Sequence, residues 1–174
     1  MADKVNNVDL AALAKTVEAA RADTTKARRT QRVEGQWNLD PTQPQFAAEI
    51  SFDGQTARLE ADQPTSLGGG GRRPGPIQYA LFGLAACFTA TFATVAAQRN
   101  IPLEGVWTTA EFELNFSQVF GLADLPVVEE VRVRLAVESP ASRADLEAAM
   151  HEAELRCPVS YCLTHPIRLV AALA

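Results

Sequence analysis

The chain has 174 residues, 47% hydrophobic and 21% charged, with a formal net charge of −5 at pH 7. That length supports one domain with a proper core, and the composition excludes a disordered chain. The acidic balance argues against nucleic-acid and anionic membrane surfaces, which need excess positive charge. The opening MADKVNNVDLAALAK has no basic stretch followed by an apolar block, so no export signal is expected and a cytoplasmic setting follows. Three cysteines in such a chain are read as free thiols, serving packing or chemistry, rather than as a disulfide framework.

In chain order, a helix is expected first, capped by Asn7, with Leu10, Leu13 and Val17 at helical spacing, running to about Arg28. Residues 1–30 form a helical extension and residues 31–174 the main domain. After a strand at Arg32–Trp37, Phe46, Ala48, Ile50 and Phe52 alternate with Ala47, Glu49 and Ser51. Asp53-Gly54 supplies a tight turn, and Ala57, Leu59 and Ala61 return, which is a hairpin pattern. A loop from Gln63 to Gly75 carries the run Gly68–Gly71 and Arg72-Arg73. Pro76 fits the first turn of a helix, and no charge occurs from Pro74 to Gln98. Such a helix, apolar on every side, belongs in a core. Its length also suits a membrane span, but its Ala and Thr content and alternating neighbours favour burial by sheet and a partner subunit. Two alternating strands follow, at Val106–Phe116 and Val131–Val137. Ser142 and Asp145 resemble a capping box opening a helix that ends near Arg156, and an apolar strand at Ile167–Leu173 closes the chain. The fold class is α+β, with helices covering one face of a mostly antiparallel sheet.

Cys157 carries the strongest local argument for chemistry. Pro158-Val-Ser-Tyr-Cys162 can open a short helix with Cys157 at its N-cap, where N–H groups favour a thiolate. The alternative is a small residue chosen for space. Cys87, inside the apolar helix, reads by itself as core filler whose thiol burial keeps protonated. His151, Cys157, Cys162 and His165 match no compact zinc spacing, so no metal is expected. The glycine-rich loop with Arg72 and Arg73 suggests an anion site, but it lacks the lysine and hydroxyl of a P-loop; a flexible loop near a partner subunit is the plainer reading.

Together, GPIQYALFGLAACFTATFATVAAQRNIPLEGV and RCPVSYCLTHPI resemble the central helix and the second cysteine motif of the OsmC/Ohr family, the osmotically inducible and organic-hydroperoxide-resistance proteins. The resemblance extends from about residue 30 to the end, and the N-terminal helix resembles the extension of one OsmC-like subgroup. It implies an intertwined homodimer with long helices at its centre, two interfacial active sites, and no metal or bound cofactor. It further implies a peroxidase acting on organic hydroperoxides, with Cys87 as the peroxidatic thiolate. Cys157 is then its disulfide partner, and a dithiol, on a lipoylated protein in Ohr-type members, is the reductant. The family pairs a thiolate-stabilising Arg with a Glu near the start of the central helix. Here Ile77 and Gln78 stand ten and nine residues before Cys87, so Gln78 takes the Arg-holding role, with Arg32 or Arg72 as the Arg. The departure leaves an alternative: an OsmC-like protein of little or no activity that binds an apolar or thiol-bearing small molecule at the dimer interface.

Overall fold

The computed structural model describes residues 4–173. They form, in order, α1 (Leu10–Ala22), β1 (Glu34–Trp37), β2 (Phe46–Phe52), β3 (Gln55–Ala61), α2 (Pro76–Gln98), β4 (Gly105–Phe112), β5 (Val131–Glu138), α3 (Arg143–Arg156) and α4 (Pro158–Thr164). All strand pairing is antiparallel, as β1-β2-β3 and β4-β5. The chain folds as two compact units: Lys15–Ala80 forms one, and the segment before it joins Leu81 onward in the other.

The first unit holds the three-stranded sheet. Its hairpin turns at Asp53 and Gly54, both at positive φ (43° and 75°), which gives the backbone twist that two-residue hairpins need. Ala48 lies opposite Leu59 and Ile50 opposite Ala57. The expected strand at Arg32–Trp37 is shorter, because pairing with β2 begins only at Glu34.

The 62–75 loop is built around one buried carboxylate. Asp62 is 1% exposed, and it accepts the backbone N–H of Gly70 (3.2 Å) and of Arg72 (3.1 Å). The Arg72 guanidinium stands 3.8 Å from the same carboxylate. A Cβ at Gly70 would meet Arg72 Nη1 at 2.0 Å and Asp62 Oδ2 at 2.8 Å, so a larger residue there would have to displace the guanidinium and crowd the carboxylate. The anion-site expectation is therefore corrected: the anion these amides bind is the chain's own Asp62. The loop is anchored, not free.

The second unit packs α2 and α3 against the β4-β5 ribbon. Phe92, Val95, Ala96, Ile101, Ala149 and Ala153 form its core, with Val106, Leu135 and Val137 against it. On the ribbon, Val106 faces Val137, Thr108 faces Leu135, and Ala110 faces Val133. This is the alternation the sequence displays, with Trp107 and the arginines of β5 on the wet face. Helix α2 is long and apolar enough to cross a membrane by length and composition. Its C-terminal half is the centre of the core just described. Burial follows a stripe from Leu84 through Phe88 and Phe92 and widens at Val95, Ala96 and Ala97, whereas Phe82 is 70% exposed. The chain's own sheet and α3 cover this much of the helix; the rest of the expected burial is the share assigned to a partner subunit.

Ser142 caps α3 as expected: its hydroxyl oxygen accepts the Asp145 N–H at 3.1 Å and its O–H donates to the Asp145 carboxylate at 2.6 Å. At the first helix the cap is Asp9 rather than Asn7: Asp9 Oδ1 accepts the Ala12 N–H at 2.9 Å. Asn7 sits at φ 62°, in the turn before the helix. The helix stops at Ala22, short of Arg28, because Asp23 draws the chain into a separate tight turn, Thr24–Ala27. Residues Ile167–Leu173 form no strand, and Leu169 is 90% exposed. Their apolar composition suits a strand, but a strand forms only on a sheet edge that can receive it.

Candidate functional site

All three cysteines lie in the second unit and all are free. Cys87 stands midway along α2 and is half-buried. Cys157 stands at the joint between α3 and α4, closing one and opening the other: its N–H donates to Ala153 O (2.9 Å) and its carbonyl accepts the Tyr161 N–H (2.9 Å). Pro158 occupies the first helical position, where a missing N–H costs nothing. Cys157 is wholly buried, whereas Cys162, farther along α4, is exposed.

The fold brings Cys87 and Cys157 close enough for each thiol to influence the ionisation of the other. Burial pushes the Cys87 thiol up from its ordinary value of 9.0; the Val159 N–H opposes this, and its bond to Cys157 adds to it. Burial also acts against ionisation of Cys157, but the Ser160 hydroxyl and N–H, the donated Cys87 thiol and the Val159 N–H outweigh it and bring Cys157 below 9.0. Cys157 makes no regular side-chain cap bond on α4; the donors stabilise its charge without the fixed geometry of a cap. Of the two, Cys157 is the thiol whose ionisation the surroundings favour. Ser160 was not anticipated from sequence. A signal existed in the C-x-x-S spacing at a helix start, which sets the third helical residue beside the capping side chain.

The other expected residues belong to the first unit. Arg32 is exposed and paired with the Glu34 carboxylate. Arg72 is engaged by Asp62. The Gln78 side-chain oxygen accepts the Gly75 N–H at 2.8 Å, so it closes the first turn of α2 from within. Among the described residues, no group of three or more His, Cys, Asp or Glu side chains is arranged to hold a metal. A groove of about 1130 Å³ is lined by Phe112, Leu114, Phe116, Phe120, Glu113 and Glu129 among others, with no thiol among its lining residues.

A central helix bearing one cysteine, a second cysteine beside it at a Cys-Pro helix junction, and antiparallel sheets are a specific combination. Residues 68–171 match the OsmC-like protein family. The chain belongs to that family. Solved OsmC-like structures have the same mixed architecture. An OsmC-like protein from Mycoplasma pneumoniae aligns with a TM-score of 0.60 at 20% identity, covering 78% of this chain and 87% of that one. An organic hydroperoxide resistance protein OsmC from Legionella pneumophila aligns at 0.56 and 24% identity, covering 79% and 92%. An organic hydroperoxide resistance protein from Vibrio cholerae, with captopril bound in one of its active sites, aligns at 0.53 and 19% identity, covering 79% and 87%. No curated protein matches the sequence. At these identities the OsmC-like structures establish the fold alone.

Proposed function

We propose that this OsmC-like protein is a thiol-based peroxidase that reduces organic hydroperoxides in the cytoplasm as a homodimer. The observation that carries the reading is the contact between the Cys87 and Cys157 thiols, delivered from two separate helical elements. Cys87, the more accessible of the two, attacks the peroxide O–O bond, while Cys157, the more readily ionised, takes its proton as a thiolate. The alkoxide takes a proton from solvent and leaves as the alcohol, and Cys87 becomes a sulfenic acid. Cys157 then attacks that sulfur, expelling water and closing the disulfide. Overall, two thiols and one hydroperoxide give one disulfide, one alcohol and one water. A dithiol, free or carried on a lipoylated protein, returns both sulfurs to thiols. The chemistry uses neither metal nor bound cofactor.

Arg32 is the proposed cationic partner of the thiolate. Its pairing with Glu34 is exposed, and exposed pairs are weak enough to exchange, whereas Arg72 already answers a buried carboxylate. Gln78 keeps one lone pair beyond its bond to Gly75 with which to hold the guanidinium. The homodimer is supported by apolar surface that the single chain leaves bare: Phe82 on α2, and Leu169 and Val170 in the C-terminal segment. A second reading, a non-catalytic module binding an apolar or thiol-bearing molecule, is favoured by Cys87 being held protonated and by Gln78 already serving the start of α2.

One equivalent of cumene hydroperoxide added to the reduced protein, followed by disulfide mapping, separates the two. A rapid Cys87–Cys157 bond, abolished in Cys87→Ser together with turnover, is the expected result. Slow overoxidation with no such bond would leave the binding module as the surviving reading.

A further inference from the structure

Pairing of β4 with β5 stops at Phe112 and Val131. Beyond it the connecting segment closes on itself through the Asn115 N–H, which donates to Val127 O at 2.9 Å, and through the stacked rings of Phe116 and Phe120, 5.5 Å apart. The groove of about 1130 Å³ lies here, lined by residues of the second unit. Small-molecule sites occupy roughly 300–1,000 Å³, so this one has room for a length of chain. Its lining is apolar at Phe112, Phe116 and Phe120, the last 56% exposed. Four carboxylates share it, those of Glu111, Glu113, Glu129 and Glu130, with the single guanidinium of Arg132. Arg132 is paired with Glu130, and Arg134 pairs with Glu111. Four carboxylates against two guanidiniums leave two negative charges. An apolar groove with that excess is complementary to a basic segment carrying some apolar surface.

The chain carries such a segment. Lys26, Arg28 and Arg29 are exposed, and none of them enters an ion pair among the described residues. The Arg29 guanidinium donates to the carbonyls of Lys26 (2.5 Å) and Arg28 (2.8 Å). From Arg28 to Val33 the backbone forms neither helix nor strand, and Arg28 is extended (φ −82°, ψ 136°). Val33 adds an exposed apolar side chain. We propose that the groove receives the Lys26–Arg29 segment of a second copy, so that each protomer gives the other a basic segment and accepts one in return. A two-fold dimer requires such self-complementarity, since the same chain must present both surfaces. The aliphatic stems of the basic side chains lie along the phenylalanines while their charged heads reach Glu113 and Glu129. The inference rests on the homodimer of the proposed function and goes beyond it by naming the two surfaces that meet. Arg32, the proposed partner of the thiolate, lies outside the docked residues.

Carbodiimide coupling tests the contact, because it forms an amide only where a lysine amine touches a carboxylate. Light and heavy-isotope copies of the full-length protein are unfolded together in urea, refolded and coupled, and the linked peptides are read by mass spectrometry. Links from Lys26 to Glu113 or Glu129 that join one light and one heavy peptide are expected, and they are lost in Glu113→Gln/Glu129→Gln. Subunit exchange between light and heavy dimers, followed by native mass spectrometry, is the second readout. Arg28→Glu/Arg29→Glu is expected to speed exchange about tenfold, and adding Glu113→Arg/Glu129→Arg to the same chain to restore most of the loss. All four positions are exposed, so the substitutions spare the fold. Dimers with no Lys26 link to the groove, links confined to peptides of one isotope, or exchange that the charge swap does not restore overturn the docking and leave the homodimer standing. A protein that stays monomeric at every concentration overturns both.

Discussion

Around Phe92 the chain buries side chains that make no hydrogen bonds; around Asp62 it buries a carboxylate whose bonds shape a whole loop. Helix α2 runs through both units, beginning at Pro76 after the loop and carrying Phe92, Val95 and Ala96 into the apolar core. Apolar burial is non-directional and tolerant of small changes in position, so it can assemble elements distant in sequence, as Phe92 and Ala149 are assembled. A buried carboxylate is stringent: it specifies one arrangement of donors and loses value when they or its charge are removed. The thiol-bearing unit is therefore expected to respond to lost volume, and the loop to lost charge.

The largest expected effect comes from Phe92→Ala, which empties the centre of the cluster and costs about 3–5 kcal/mol. Hydrogen exchange measured by unit should place the loss in α2, α3 and the β4-β5 ribbon. Equal loss in the three-stranded sheet would break the contrast drawn here. Second comes Asp62→Asn, which keeps the shape but replaces an oxygen acceptor by an NH2 group facing two N–H donors. Limited proteolysis should then cut within the Gly68–Gly71 run, while the wild type resists. The same loop should be sensitive to acid. Its donors, chiefly the Arg72 N–H, hold the Asp62 carboxyl below the ordinary value of 3.8. The folded state therefore binds fewer protons than the unfolded one near that pH, and the stabilisation is complete above 3.8 and lost as pH falls towards the folded value. Proteolysis across that range checks the sign, and resistance that falls with rising pH would contradict it.

Much of this was legible in the sequence where a period or local spacing carried it. The strands β4 and β5 follow strict alternation, Asp53-Gly54 marks its own turn, and Ser142 with Asp145 is a three-residue signal. What was not legible depended on distant partners. Asp62 binds donors eight and ten residues ahead, beyond any local turn motif. The Ile167–Leu173 segment has strand composition, yet pairing is decided by an available edge rather than by propensity. Cys157 had a local signal in its place before Pro158 at a helix start, whereas Cys87 reads locally as core and was found through resemblance. Its closeness to Cys157 is a tertiary fact.

Asn6 sharpens the comparison because it brings the hydrogen-bonding strategy into the apolar unit. Its Nδ2 donates to Ile101 O at 2.8 Å and its Oδ1 accepts the Leu103 N–H at 2.9 Å. One amide thus clamps the connection between α2 and β4 to the N-terminal segment, with Ile101 itself in the core. Asn6→Ala removes both bonds from a half-buried site, for an expected cost of about 2 kcal/mol, against about 1 kcal/mol for the exposed cap removed by Ser142→Ala. Asn6 also sits at φ 52°, a conformation asparagine tolerates better than alanine, so some of its loss is backbone strain. Asn6→Gly separates the contributions. If it recovers only a few tenths of a kcal/mol relative to Asn6→Ala in urea unfolding, the clamp dominates and the unit depends on this polar contact. If Asn6→Gly restores wild-type stability, the amide adds nothing and the unit is held by apolar burial alone.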